Sequence, residues 1–295
     1  GGNWTAQLTT NGVQLPVEET GNINIQSEPT ACVASTGNVF VAARGFESGP
    51  ATPRVLEWLI NPALPPADWF VWPSKWKVVD EGGINSNFNN LKITPDDVGA
   101  AALVYQDKVS DTDLNLRGEY YSLAGNRQWG TGNASKLLTL QADGITPPAG
   151  KQWRHALTFS GDSFQVVYVD EQAGEANATI RGIAISKIGV QAQVDGTAIS
   201  TSAGRNDNPS IAARSNDGVD IAWDNQASGH RPIVSRRNAS LSDAVNEGML
   251  SQDSTSIDPG VLVIASSEAK AAHIIHGGMS ADNRPDGRYQ YLNPA

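Results

Sequence analysis

The chain has 295 residues, 39% hydrophobic, with Gly 29, Pro 16 and a formal net charge of −10. That acidity excludes duplex DNA and RNA as partners, because phosphate binding needs a cationic face, and it disfavours anionic membrane surfaces while favouring solubility. No apolar run approaches the roughly 18 residues of a membrane-spanning helix, and Gly1-Gly2-Asn3-Trp4 lacks a basic and apolar leader, so a mature product or a piece of a longer protein is expected.

In chain order, short alternating apolar runs separated by Gly, Pro, Asn and Asp turns read as strands. The first group follows Glu28-Pro29: Thr30 to Ala34, a Thr36-Gly37-Asn38 turn, Val39 to Ala43, a loop over Gly45 to Pro53, then Val55 to Ile60. Trp69 to Trp72 or Trp76 to Val79 supplies a fourth strand. The second group starts at Asn89-Asn90 with Leu91 to Ile93, Ala101 to Tyr105, Arg117 to Leu123 and Lys136 to Gln141. The third starts at Arg154-His155 with Ala156 to Phe159, Phe164 to Val169, Ile180 to Ser186 and Gln191 to Gly196. The fourth follows Asp207-Asn208-Pro209: Ser210 to Ala213, Val219 to Trp223, Ile233 to Arg236 and a weaker run at Ala244 to Ser251. Leu241 to Met249 also suits a short helix. The fifth follows Asp258-Pro259: Val261 to Ala265, Ala271 to His276 and Arg288 to Leu292.

The anchors at 29, 90, 155, 209 and 259 give a period of roughly 50 to 65 residues, the range of propellers and arrays. Four antiparallel strands per unit are the composition of a propeller blade. The fifth unit lacks a fourth strand, and Trp4 to Thr9 can supply it, closing the ring and removing an open sheet edge. The expectation is one all-β domain over 1–295, a five-bladed β-propeller with blades near 22–82, 83–145, 146–198, 199–252, and 253–295 plus 1–10.

In such a ring the inner strands line a channel. The pairs that precede their apolar runs are polar and converge on one mouth: Glu28, Asn89 and Asn90, Arg154 and His155, Asp207 and Asn208, and Asp258. Two uses of this mouth are open. Glu28, Asp207 and Asp258 can act as acid and base, with Arg154 and His155 binding an anionic or hydroxylated substrate, since sugar hydrolysis needs two carboxyls flanking the bond. Alternatively, the same groups cap strands and hold water. Flat Trp faces stack on sugar rings, and Trp72 and Trp76, beside Pro73, are the exposed candidates; Trp58 and Trp223, inside regular strands, read as core.

The repeated Pro-x-hydrophobic-Ala, Gly turn, and hydrophobic pair with Trp or Tyr resembles the blades of sialidase-like propellers. Five such units are similar to the five-bladed furanosidases, arabinanases and fructosidases among them, and to five-bladed animal and fungal lectins. The sialidase Asp-box, Ser-x-Asp-x-Gly-x-x-Trp, does not occur here in full.

Metal signals are sparse, and no cofactor is expected. Asp111, Asp113 and Asn115 alternate as calcium-loop ligands do, but Leu116 replaces the turn glycine. His273 and His276 face opposite sides of a strand. Cys32, the sole cysteine, reads as a buried inert thiol. Sequons at Asn3, Asn133, Asn177 and Asn238, few lysines and many small polar residues suggest an extracellular or surface location. The reading that follows is a lectin-like module that binds a glycan without catalysis, using Asn90, Arg154, His155, Asn208, Trp72 and Trp76. A glycoside hydrolase at the channel mouth is the second reading. A structural or adhesive module that self-associates, or sits in a larger parent protein, is the third.

Overall fold

Branched and aromatic residues at alternate positions, broken by Gly and Pro turns, produce strands almost everywhere. The computed structural model describes residues 23–47, 53–74, 77–81, 87–132, 134–214, 217–227, 231–242, 244–249, 262–265, 272–279 and 285–292. Its strands are β1 (Ile23–Val33), β2 (Val39–Glu47), β3 (Pro53–Ile60), β4 (Lys77–Glu81), β5 (Asn87–Pro95), β6 (Ala101–Ser110), β7 (Asp113–Tyr121), β8 (Lys136–Leu137), β9 (Gln152–Ser160) and β10 (Ser163–Asp170). They continue as β11 (Thr179–Ser186), β12 (Thr197–Ala198), β13 (Asn206–Ala213), β14 (Gly218–Asn225), β15 (Arg231–Asn238), β16 (Ala244–Met249), β17 (Leu262–Ala265), β18 (Ala272–Met279) and β19 (Pro285–Leu292). Among the described residues, helix is confined to single 3-10 turns at Pro66–Asp68 and Glu175–Asn177, and no helix is long and apolar enough to cross a membrane.

Each strand pairs antiparallel with its chain neighbour. The sheets are β1-β2-β3-β4, β5-β6-β7-β8, β9-β10-β11-β12 and β13-β14-β15-β16, followed by β17-β18-β19. The first strands of successive sheets lie against one another, β1 on β5, β5 on β9, β9 on β13 and β13 on β17.

The period-2 alternation of strands explains why the sheets stack face to face. On β6, Ala101, Leu103 and Tyr105 pack with Phe40, Val55, Leu59 and Trp72 of the first sheet. The intervening Ala102 and Val104 point the other way, onto Phe164, Val166 and Tyr168 of the third sheet. On β10, Val167 and Val169 turn to Ile211, Val219, Ile221 and Trp223 of the fourth. A strand buried on both faces reads as a near-continuous apolar run, as VVYV in β10 does.

Several expected boundaries shift. Gln191 makes one bridge, to Ile185, and the fourth strand of its sheet is Thr197–Ala198, after Gly196 turns the chain at φ 72. Lys136 to Gln141 shortens to Lys136–Leu137. Leu241 to Met249 is not helical: Ala244–Met249 pairs with β15. Trp69 to Trp72 gives only a bridge between Phe70 and Ile60, and β4 takes the edge. The strand expected at residues 1–10 to close the ring lies outside the described residues.

Burial carries one electrostatic cost inside the first two sheets. Glu57 of β3 is fully buried, and neither carboxylate oxygen has a partner among the described residues. Glu119 nearby is also buried but accepts Arg127 Nη1 at 2.9 Å and the N–H groups of Trp129 (2.8 Å) and Gly130 (2.9 Å). Burial first, then the charge of Glu119, push the Glu57 carboxyl well above 4.5 and keep it protonated. A raised folded pKa means stability that is full below about 4.5 and lost as pH rises through the folded value. Glu57→Gln is therefore expected to gain stability relative to the parent as pH rises from about 5 to about 8 in urea unfolding; a difference that does not change with pH contradicts the neutral carboxyl.

Candidate functional site

The polar pairs do not sit at strand starts, as the sequence suggested. They lie in mid-strand, at β-bulges that recur in all four fully described first strands. Two residues face one in each: Glu28 and Pro29 opposite Ala43, Asn90 and Leu91 opposite Tyr105, Arg154 and His155 opposite Tyr168, Asn208 and Pro209 opposite Trp223. The first residue of every pair is in the left-handed region, at φ 58, 51, 47 and 50. A non-glycine residue there costs about 1–3 kcal/mol, and such strain collects at functional sites. Glycine would be the cheap choice at this bulge, so a Glu, an Asn, an Arg and an Asn retain side chains at a conformational cost.

The bulges re-aim these side chains toward the neighbouring first strand. Glu28 Oε2 accepts the backbone N–H of Asn90. Arg154 Nη1 donates to Asp207 Oδ2 at 2.6 Å and to Asn208 Oδ1 at 3.1 Å. Between β1 and β5 a cavity of about 460 Å3 opens, lined by Glu28, Pro29, Asn89, Asn90, Leu91 and Lys92. That volume lies within the ~300–1,000 Å3 of ligand pockets. Glu28 and Lys92 are exposed in it.

The candidate residues separate by burial. Asp207 is 1% exposed and saturated: Oδ2 takes Arg154, Arg205 Nη2 (2.8 Å) and Arg205 Nε (3.1 Å), while Oδ1 takes the Asn208 N–H at 2.8 Å. It clamps Arg154 and does not face a substrate. His155 is also buried, bonded through Nε2 to Val104 O at 3.1 Å, with Nδ1 unpartnered. Burial lowers its pKa to about 4, so it stays neutral above that pH and is not the anion-binding group expected of it. Trp72 is 1% exposed, its Nε1 donating to Leu123 O at 3.2 Å and its ring on Phe40 and Tyr121. It is core, because Gly125 lets the backbone pass within contact of the indole, and it offers no face to a sugar. Trp58 and Trp223 are fully buried, as their strand context implied. Trp76 and Asp258 lie outside the described residues.

Sequence reasoning missed Lys92, Trp153 and Arg205. Lys92 follows the second bulge, and Trp153 carries the Arg154 guanidinium 4.2 Å from its ring centroid. Their signal was position relative to the bulge, which a sequence does not display. The calcium triplet is not assembled: Asp111 is exposed on Lys108 at 2.5 Å, Asp113 Oδ1 accepts from Asn115 Nδ2, and Asn115 is buried in β7. No group of three or more His, Cys, Asp or Glu among the described residues is placed to hold a metal. Burial pushes the Cys32 thiol up to about 12, which keeps it inert.

The bulge strain is measurable. Asn90→Gly keeps the N–H that Glu28 accepts and relieves the left-handed backbone, a gain of about 1–2 kcal/mol offset by about 0.5–1 kcal/mol of glycine entropy. The variant is expected to be slightly more stable than the parent in urea unfolding. A loss of stability contradicts strain at this position.

No family model matches the chain, and no curated protein matches it. Solved structures do. That of the polysaccharide lyase Uly1 aligns with a TM-score of 0.53 at 13% identity over 90% of this chain, which spans 57% of the lyase's length. The family GH93 α-L-arabinofuranosidase of Fusarium graminearum, with arabinobiose, aligns at 0.45 and 12% identity over 91% of this chain and 77% of that one. An α-L-arabinofuranosidase from Lactobacillus brevis aligns at 0.43 and 9% identity, covering 94% of both. At these identities the likeness concerns the fold, which is of the general propeller class. The lectin-like reading without catalysis is corrected here: Uly1, which aligns at a TM-score of 0.53, is a polysaccharide lyase and not a lectin.

Proposed function

We propose that the chain is a glycan-cleaving enzyme, a glycoside hydrolase working at the cavity where the first strands meet. One observation carries the reading: four bulges in equivalent positions hold polar side chains at the cost of backbone strain, and Glu28 faces a ligand-sized cavity. Hydrolysis needs a second carboxyl, about 5–5.5 Å away for retention or about 6.5–9.5 Å for inversion. Asp207 is excluded by its four donors. Asp258, the fifth repeat's counterpart of Glu28, is the remaining choice.

That assignment uses a closed ring of five blades, completed by residues 1–10. It is supported by the face of the first sheet turned away from the second. There Ala43, Leu56 and Trp58 are fully buried, so this face is covered. Deletion of residues 1–10 is expected to lower the melting temperature, by at least the ~2–4 °C that 1 kcal/mol represents in a chain of 150–250 residues; an unchanged melting curve contradicts closure. Placement outside the cell belongs to the same proposal, supported by few lysines and many small polar residues, and recovery in the cell-free medium checks it.

The test of function is a reducing-end assay across neutral and acidic plant and algal polysaccharides. Product that forms with the parent and disappears in Asp258→Asn supports the reading. Product carrying an unsaturated uronide chromophore would show elimination, and no product from any polymer removes the reading.

A further inference from the structure

A second cavity lies away from the bulges, between β10, β11 and the segment that follows β8. Its volume is about 190 Å3, and Gln141, Tyr168, Asp170, Gln172, Arg181 and Asp195 supply its polar wall. Strand register builds that wall. Tyr168 of β10 stands opposite Arg181 of β11, and Asp170, two residues on, shares the face of Tyr168. The chain then returns across Arg181 before β12, where Arg181 Nη2 donates to Asp195 O at 2.7 Å and Gly196 O at 3.0 Å.

Tyr168 is 2% exposed and the Asp170 side chain 8%, yet both border the cavity. Buried polar groups of this kind are ordinarily saturated by hydrogen bonds, and these carboxylates are not. Asp170 Oδ1 accepts the Gln172 N–H at 3.1 Å and Gln152 Nε2 at 3.3 Å. Asp170 Oδ2 has only Arg181 Nε, at 3.8 Å, an ion pair beyond hydrogen-bond length. Asp195 Oδ2 stands in the same relation to Arg181 Nη2, at 3.6 Å. Two carboxylates that line the cavity therefore keep unused acceptor capacity. Burial first, then the charge of Asp170, hold the Tyr168 hydroxyl well above the usual phenol range, so it stays a neutral donor.

The charges select the occupant. An added cation would meet Arg181, and an added anion would meet two carboxylates. A neutral molecule with several hydroxyls suits both, because each hydroxyl donates and accepts at once. Leu140 and Pro148 add apolar surface for the C–H face of a ring. The volume is below the ~300–1,000 Å3 of full ligand pockets, which fits one ring rather than a chain. Tyr168 is the residue opposite the Arg154-His155 bulge, and β11 is two strands from β9, roughly 10 Å at about 4.8 Å per strand.

We propose that this cavity binds one neutral sugar unit, whose hydroxyls donate to Asp170 and Asp195 and accept from Tyr168 and Arg181. The site lies outward of the Arg154 bulge on the third sheet. It goes beyond the cleavage proposed above and does not depend on it.

Amide chemical shifts of the isotope-labelled chain test it, with D-xylose, L-arabinose or D-galactose as the probe and D-glucosamine and D-galacturonate as charged counterparts. At least one neutral sugar is expected to move the amides of Gln141, Gln172 and Asp195, and to bind more tightly than either charged sugar. Asp195→Ala is expected to weaken that sugar about tenfold, the loss of one hydrogen bond to a charged group. The Asp195 side chain is half exposed, and its backbone O still serves Arg181, so the variant keeps the parent's melting curve. Tyr168→Phe keeps the buried ring and removes only the hydroxyl; about a fivefold weakening is expected. Weakening in either variant supports the site. Shifts confined to Asn89, Asn90, Leu91 and Lys92 would place the sugar in the first-strand cavity and overturn it. Tighter binding of a charged sugar, no shift with any neutral sugar, or parent-like affinity in both variants overturns it as well. Whether any polymer is cleaved does not bear on these outcomes.

Discussion

Glu28→Gln is expected to reduce glycan turnover about a thousandfold, with little change in folding or in substrate binding. Glu28 is exposed, and one of its oxygens accepts the Asn90 N–H. Glutamine can present its amide oxygen to the same N–H, so the bulge and the cavity wall persist. What the variant loses is the ability to give or take a proton. General acid–base groups contribute about 10²–10⁴ in rate, and that range is the size of the expected loss. The reducing-end assay measures it, and a KM within a few-fold of the parent separates lost chemistry from lost binding. Parent-like turnover in Glu28→Gln would take Glu28 out of the proton-transfer role.

The second large effect is on stability. Trp223→Ala is expected to cost about 3–5 kcal/mol, the range for deletion of a buried large aromatic. Trp223 is fully buried between the third and fourth sheets, packed with Val167, Val169, Ile180, Val219 and Ile221. Its indole N–H donates to Asn206 Oδ1 at 3.0 Å, and Asn206 also ties down Asn225 and Ser202. The residue stands opposite the Asn208-Pro209 bulge, so the cavity left by its loss adjoins the strand that holds Asp207 and Arg205. Arg154 would lose its fixed partner together with the packing. The expected result is a lower urea midpoint. Native-like stability in this variant would mean that the sheet interface repacks.

The sequence displayed the repeat because each unit buries both sheet faces and must be punctuated by turns. Runs such as Ala101 to Tyr105 and Phe164 to Val169 fall inside the strands found there. Fourth strands were harder to place. Lys136–Leu137 and Thr197–Ala198 pair through so few residues that apolar alternation leaves almost no trace. The polar pairs were visible as residues that do not belong in buried strands, but their role as bulges was hidden. A two-for-one register is a relation between strands, and Arg154-His155 looks in one dimension like the beginning of a strand. The same limit hid burial. Trp72 and His155 carry chemistry-bearing side chains, yet packing against Tyr121 and bonding to Val104 O commit them to the interior. Lys92, an ordinary lysine in sequence, acquires meaning only where β5 lines the cavity.

The glycan site we propose is formed by the bulges of successive first strands. Amide hydrogen exchange of Glu28→Gln, with and without a polymer that the parent cleaves, tests it most directly. Slowed exchange at Asn90, Leu91, Lys92 and Asn208 is the predicted result. Slowing confined to the outer strands β8 and β12, or none at saturating polymer, would place binding elsewhere and contradict the account.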